Sequence, residues 1–277
     1  MSALIGLQCH LCKSTFPPEA TYVCEKCLGP LEPFYDYSSI TLTRAEIESR
    51  PKNLWRYREL LPITGEPQTG FHSGYTPLVR CTQLAQRLGL SELYIKDDSV
   101  NHPTLSYKDR VVSVAATRAK ELGFSVLALD YRLMPEHSRR DMIADCQAGY
   151  RWILDHGPDG PRPVRELFVA GDSAGGNLVL MLIAWARDAG LRAAQGAMAL
   201  SPIVDMTLSS PTCKSHRQTD VFLGPGLGRF LYLPRTLLLL ITWLWNRIVP
   251  PNPLISPVFG DLSRLPPVLV QASAAEM

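Results

Sequence analysis

The stretch from Leu167 to Leu180, LFVAGDSAGGNLVL, limits the folds open to this chain more than any other. A short apolar run, Leu167 to Ala170, reads as a buried strand. Gly171-Asp172-Ser173-Ala174-Gly175 follows, then Gly176, then an apolar segment of helical character to about Ala189. Strand, tight turn and helix in that order are the setting of a G-x-S-x-G nucleophile elbow. Glycines are needed there because neighbouring backbone passes close to the turn. The pattern predicts Ser173 exposed at the C-terminal edge of a sheet as a catalytic nucleophile. It also aims the backbone N–H of Ala174 at a developing oxyanion.

The chain has 277 residues, enough for one large domain or two smaller ones. Hydrophobic residues make up 46% and charged residues 19%, which suits a sizeable core. A net charge of +2 gives no signal for nucleic acid or for a strongly acidic partner. The opening MSALIGLQCH lacks the charged and apolar regions of a signal peptide. Seven cysteines are an odd number, and four of them form two C-x-x-C pairs. That usage favours a reducing compartment, the cytoplasm, and a metal site over a disulfide framework. The longest apolar run is Thr236 to Trp245, whose ten residues fall short of the roughly 20 a bilayer span needs. A buried or lid helix is the preferred reading of this run, ahead of membrane-surface contact by 236–245.

Residues 1–50 read as a zinc-ribbon-like segment. Cys9-x-x-Cys12 and Cys24-x-x-Cys27 each offer two thiolates from one tight turn, and eleven residues separate the pairs. Together they can complete a closed tetrahedral site, the pattern of a structural zinc. Four free or redox-active thiols are the alternative. His10 reads as a solvated neighbour.

In residues 51–124 the apolar periodicity of Val111 to Leu122 predicts a helix, with Ser106 and Asp109 at capping-box spacing before it. Lys108 then lies in the first helical turn. The positive end of the helix dipole disfavours a second cation there, so the ammonium loses its proton more easily. A neutral amine is what Schiff-base chemistry uses.

The segments Gly74-Tyr75-Thr76-Pro77-Leu78, Tyr94-Ile95-Lys96-Asp97-Asp98 and Asn101 to Arg110 (NHPTLSYKDR) resemble threonine synthase, a fold type II pyridoxal-phosphate (PLP) enzyme. The resemblance covers about residues 1 to 124. It implies PLP as cofactor, bound through an internal aldimine to Lys108, and lyase-type chemistry. The family's serine/threonine-glycine-asparagine loop and its glycine-rich phosphate loop do not follow residue 124. Gly224 to Gly228, glycine-rich but far downstream, reads as a loop.

From Ser125 the pattern changes. Val126 to Tyr131, Leu167 to Ala170, Gly196 to Leu200 and Pro267 to Ala272 read as strands. Met142, Cys146, Tyr150 and Ile153 mark one face of a helix, and 221–249 reads as a lid-like segment. The alternation predicts a parallel sheet covered by helices. His137 and His156 read as structural.

D-Y-R-L-x-P-E-H, G-D-S-A-G-G-N-L, S-P-x-x-D-x-T and I-S-P-x-x-x-D-L-x-x-L-P-P, all within 130–267, resemble the hormone-sensitive-lipase branch of the α/β hydrolases. That resemblance implies cleavage of a small carboxylic ester through an acyl-enzyme on Ser173. The lysine segment stands where the branch carries its H-G-G-G oxyanion loop. The branch's acid and histidine, expected after the last strand, are not among these residues. Ser173, Asp205 and His216 are a stand-in triad in chain order alone.

The expected fold class is thus α/β: a partial α/β-hydrolase parallel sheet with helices on both faces at 125–277, preceded by a zinc ribbon at 1–50 and a fold type II PLP fragment at 51–124. Three functions are open at this point. They are a serine ester hydrolase or its inactive remnant, a PLP-dependent lyase using Lys108, and a non-catalytic zinc-binding fusion.

Overall fold

A computed structural model describes residues 2–276 apart from Ala20, Tyr22 and Phe222. The chain divides into two compact units, Met1–Leu127 and Ala128–Met277.

In the first unit, β1 (Leu4–Cys9) pairs antiparallel with β2 (Thr15–Phe16) and β3 (Leu31–Tyr35), in the order β2-β1-β3. A short helix, α1 (Arg44–Ser49), opens on a capping box: Thr43 and Glu46 each satisfy the other's backbone N–H. Next come β4 (Leu78–Arg80), α2 (Thr82–Leu88) and β5 (Tyr94–Lys96), with β4 and β5 antiparallel. Gly89 ends α2 in the left-handed conformation, which glycine adopts without steric cost. The helix read from Val111 to Leu122 is α3 (Lys108–Glu121).

Its start differs from the capping box read in the sequence. Tyr107 is the N-cap and makes no side-chain cap bond. The Asp109 carboxylate accepts from Thr104 N at 3.0 Å and Thr104 Oγ1 at 2.8 Å, so it closes the preceding turn. The buried stripe of α3 is Asp109, Ser113 and Thr117, while Val111 and Val112 face outward.

The second unit begins with α4 (Arg139–Asp155), capped by a Ser138–Asp141 box. It buries Met142, Cys146 and Tyr150, as the periodicity predicted, and Ile143 as well. Strand β6 (Phe168–Asp172), α5 (Ala174–Asp188) and β7 (Gly196–Leu200) follow. Then come α6 (Thr212–Ser215), α7 (Gly224–Phe230), α8 (Arg235–Asn246) and β8 (Val268–Gln271). Strands β6, β7 and β8 form a parallel sheet in that order, with Ala170 opposite Met198 and Met198 opposite Leu269. α5 is apolar around most of its circumference because it is covered on two sides. Leu178, Met181 and Leu182 pack with α4, and Val179, Leu180 and Ile183 pack on the sheet residues Ala197 and Ala199. Each such side chain contributes about 1.5–3 kcal/mol by leaving water.

Four further sequence readings are corrected. Leu167 to Ala170 is not a buried strand, since β6 starts at Phe168 and leaves Phe168 and Ala170 exposed. Val126 to Tyr131 is not a strand. A strand exists only as a rung of a ladder, and this segment joins no ladder among the described residues, leaving Val126, Leu127 and Leu129 exposed. Gly224 to Gly228 is not a loop but the start of α7. Proline near a helix start suits the first turn, where its missing N–H is not needed. The run 236–245 forms α8 as a helix, but not a buried one: only Leu238 and Asn246 are buried. No helix among the described residues is long and apolar enough to cross a membrane.

Candidate functional site

Ser173 occupies the junction between β6 and α5 with φ 57 and ψ −112. A non-glycine residue there costs about 1–3 kcal/mol and persists only when its surroundings fix it. Ser173 N donates to Leu200 O at 2.8 Å, tying the turn to the end of β7. Ser173 O accepts from Asn177 N at 3.1 Å, tying it to the first turn of α5. One of the glycines is required by close approach: a Cβ on Gly171 would lie 2.4 Å from Gly175 O. A Cβ on Gly176 would be crowded, 3.0 Å from Pro202 Cβ and 3.1 Å from Leu200 O. Gly175 has open space at its Cβ position.

Ala174 is the first residue of α5, so its N–H is among the donors without an intrahelical acceptor. It stands at the positive end of the helix dipole, where developing negative charge is stabilised. Among the described residues, no hydrogen bond involves the Ser173 hydroxyl.

The neighbouring strand ends carry a second polar group. Ser201, at φ 38, donates from N to Gln271 O at 2.6 Å and from Oγ to Glu276 Oε1 at 2.9 Å. His216 Nδ1 lies 2.8 Å from Glu276 O. Asp205 instead gathers the N–H and hydroxyl groups of Thr207 and Ser209, at 2.5 to 2.9 Å. Burial alone would raise its pKa, but the Ser209 and Thr207 bonds outweigh that and hold it below the ordinary carboxylate value. Ser173, Asp205 and His216 are therefore not joined by hydrogen bonds. His156 Nδ1 donates to Trp152 O at 2.9 Å and the imidazole stacks on the Trp152 ring, a helix-end role.

Sequence reading did not single out Asn177 and Arg139, which brace the elbow from beneath. Asn177 is 1% exposed and donates from Nδ2 to Ile203 O at 2.6 Å and Ile255 O at 2.9 Å. Its Oδ1 accepts from Arg139 Nη2. Arg139 is buried with no carboxylate partner among the described residues, and its Nε has no hydrogen bond. Desolvation pushes its pKa down. An amide inside an apolar helix, one turn after the serine, was a readable signal for Asn177. Nothing distinguished Arg139 from the exposed Arg140 beside it.

In the first unit the four cysteines converge. The Sγ atoms of Cys9, Cys12, Cys24 and Cys27 all lie within 4.8 Å of one another. The two loops repeat one geometry. Lys13 N donates to Cys9 O at 3.1 Å, and Leu28 N donates to Cys24 O at 2.8 Å. Lys13 and Leu28, each just after a second cysteine, take φ 60 and φ 58. Gly29 has no room for a side chain, since its Cβ would lie 2.9 Å from Cys9 Sγ. Hydrogen bonds with Ser14 lower the Cys12 thiol to about 6. The Gly29 N–H favours the Cys27 thiolate, but the neighbouring Cys9 and Cys12 sulfurs push that thiol up to about 12. Four sulfurs this close repel as thiolates unless a cation lies between them, so this donor set fits a tetrahedral metal ion. His10 stays outside, 2.9 Å from Glu32.

Lys108 opens α3 as the sequence implied. A PLP phosphate also needs a glycine cradle, and Gly224–Gly228 does not supply one. A Cβ on Gly224 would lie 2.1 Å from Arg217 O, and one on Gly228 would lie 2.7 Å from Arg217 Cγ. Those glycines make room for Arg217, so Gly224–Gly228 offers no phosphate cradle.

The sequence family described as the α/β hydrolase fold matches residues 99–277. An acetyl-hydrolase of Streptomyces hygroscopicus is 32% identical over 158 residues, 56% of this chain and 48% of that protein. The crystal structure of EstE5 soaked with ethyl alcohol superposes with a TM-score of 0.50 at 32% identity, covering 63% of this chain and 53% of that one. Threonine synthase of Methanosarcina acetivorans is 40% identical over 123 residues, 44% of this chain and 30% of that protein. The chain thus spans about half the length of the hydrolase relatives and under a third of the threonine synthase.

Proposed function

This chain belongs to the α/β hydrolase fold family, and from that premise we propose that its second unit carries the reactive serine of a carboxylic ester hydrolase, with Ser173 as nucleophile. The observation that carries the reading is the backbone of Ser173, held at φ 57 between a parallel strand and a helix N-terminus. In this role Ser173 Oγ attacks the carbonyl carbon of a small ester. The carbonyl oxygen takes the negative charge and meets the Ala174 N–H. The alcohol leaves with a proton, and water then frees the acid and restores the serine. A serine hydroxyl without an adjacent base is a weak nucleophile near neutral pH. In this reading the 277-residue chain modifies slowly and turns over slowly.

A fluorophosphonate probe followed by peptide mapping tests this. Labelling at Ser173, absent in Ser173→Ala, is the expected result. No labelling at Ser173 in the folded chain overturns it.

The first unit, in the same reading, holds one structural zinc on Cys9, Cys12, Cys24 and Cys27, and the mutual approach of the four sulfurs supports it. A metal held there would tie the two cysteine loops together. Elemental analysis should find about one zinc per chain, lost when Cys9 and Cys12 are both replaced by serine. Full retention of zinc in that variant refutes the site.

A further inference from the structure

Helix α8 has its apolar residues on the wrong side for a globular core. The stripe it turns inward is Leu238, Thr242 and Asn246, spaced i, i+4 and i+8. Thr242 Oγ1 donates to Leu238 O at 3.0 Å and Asn246 Nδ2 to Thr242 O at 2.9 Å, so these polar groups are satisfied by the helix itself. Leu237, Leu240, Ile241, Trp243, Leu244 and Trp245 face outward. Trp245 is 64% exposed while Asn246 is 4% exposed. Tyr232 before the helix and Val249 after it are exposed as well, the Tyr232 ring lying under the Arg217 guanidinium at 4.7 Å. Contiguous exposed apolar surface of this kind marks an interaction site.

The charges around it select the occupant. Residues 221–260 contain three arginines, Arg229, Arg235 and Arg247, and no aspartate, glutamate or lysine. Arg235 and Arg247 stand exposed at the two ends of α8. A twofold contact between copies would set one arginine-bordered face against another, which like charges oppose. A protein interface carries a rim of hydrogen-bonding groups, and the outward side chains between Leu237 and Trp245 have only the two indole N–H groups to offer. A lipid surface suits this pattern. A 12-residue helix about 18 Å long lies flat, its leucines in the acyl boundary, its tryptophans at the interface and its guanidinium groups on phosphates.

We infer that α8, with Arg235 and Arg247 at its ends, is a docking surface for an anionic lipid bilayer. The inference is independent of the ester-hydrolase reading. It reverses the preference for a buried or lid helix that the sequence suggested.

Flotation of the full chain with vesicles of equal phosphatidylglycerol and phosphatidylcholine tests it, with phosphatidylcholine vesicles alone as the comparison. The chain should float with the anionic vesicles, show a blue shift in tryptophan emission, and be released by salt. Arg235→Gln with Arg247→Gln should weaken the partition about 30-fold, at about fivefold per arginine. Leu240→Ser with Leu244→Ser should weaken it at least about tenfold. Trp243→Phe with Trp245→Phe should keep flotation and lose the blue shift. Urea midpoints matching the parent chain show that the variants fold. Equal flotation with neutral vesicles, no flotation, or flotation indifferent to the arginine and leucine substitutions overturns the proposal. So does a dimer that Leu240→Ser with Leu244→Ser dissociates while vesicles do not bind, since a second copy then covers the face.

Discussion

Replacing Arg139 by methionine should stabilise the second unit, although Arg139 makes a buried hydrogen bond. Two effects oppose each other. Asn177 Oδ1 loses its donor while the residue is 1% exposed, which costs about 1–3 kcal/mol. Against this, a guanidinium that is 8% exposed leaves the interior, and no carboxylate among the described residues compensates it. The effective penalty for such an ion is several kcal/mol. Its unpartnered Nε adds about 1–3 kcal/mol of lost hydration that the variant recovers. Methionine keeps much of the apolar stem packing. The balance is about 1–3 kcal/mol in favour of the variant, at about 2–4 °C in Tm per kcal/mol for a unit of this size. Urea unfolding followed by tryptophan fluorescence measures it. Asn177→Ala supplies the contrast, because it leaves the Arg139 charge with no acceptor and should cost about 3–5 kcal/mol. A destabilised Arg139→Met, or an Asn177→Ala that costs less than Arg139→Met, refutes the reasoning.

Gly171→Ala should disrupt the elbow, because a Cβ 2.4 Å from Gly175 O forces backbone to move; a loss of more than about 3 kcal/mol in urea unfolding is expected. Gly175→Ala, with open space at the same atom, should be neutral or up to about 1 kcal/mol stabilising, and equal losses at the two positions would defeat the packing argument. Arg132 hydrogen-bonds to Asp145 and holds its pKa at about 2, below the ordinary 3.8. A depressed carboxylate contributes stability above its unfolded value and loses it as pH falls, so Asp145→Asn should flatten the acid limb between those two values; an unchanged limb argues against the contact. Alanine at Ile183, which is 2% exposed against the sheet, should cost about 2–5 kcal/mol by urea unfolding, and a loss below about 1 would show a core that closes over the cavity.

Much of the second unit was legible because its signals are local. The turn glycines around Ser173, the five-residue run at Gly196 to Leu200 and the face Met142-Cys146-Tyr150 each encode one element within a few residues. The four cysteines were legible for the same reason, since each pair fits one turn. What failed depended on partners distant in sequence. Val126 to Tyr131 has the composition of a buried strand, but a ladder is a property of two segments. The run 236–245 has the composition of a core helix, and composition does not say which way Leu240 faces. Ser106 and Asp109 have capping spacing, but Thr104 competes for the same carboxylate. The polar group of Ser201, His216 and Glu276 joins residues up to 75 apart, so no window of sequence contains it. Arg139 was invisible because burial, not identity, makes it unusual.

The groups that fix Ser173 in its turn are Leu200, Gly171, Gly176 and Asn177, with Ile203, Ile255 and Arg139 behind them. Every one of them lies after residue 128. The elbow is in this sense a portable cassette. Among the described residues, the hydrogen bonds and close contacts named here all lie in the segment that carries the serine. A chain that resembles threonine synthase near its start and the α/β hydrolases beyond it can therefore keep this serine turn intact.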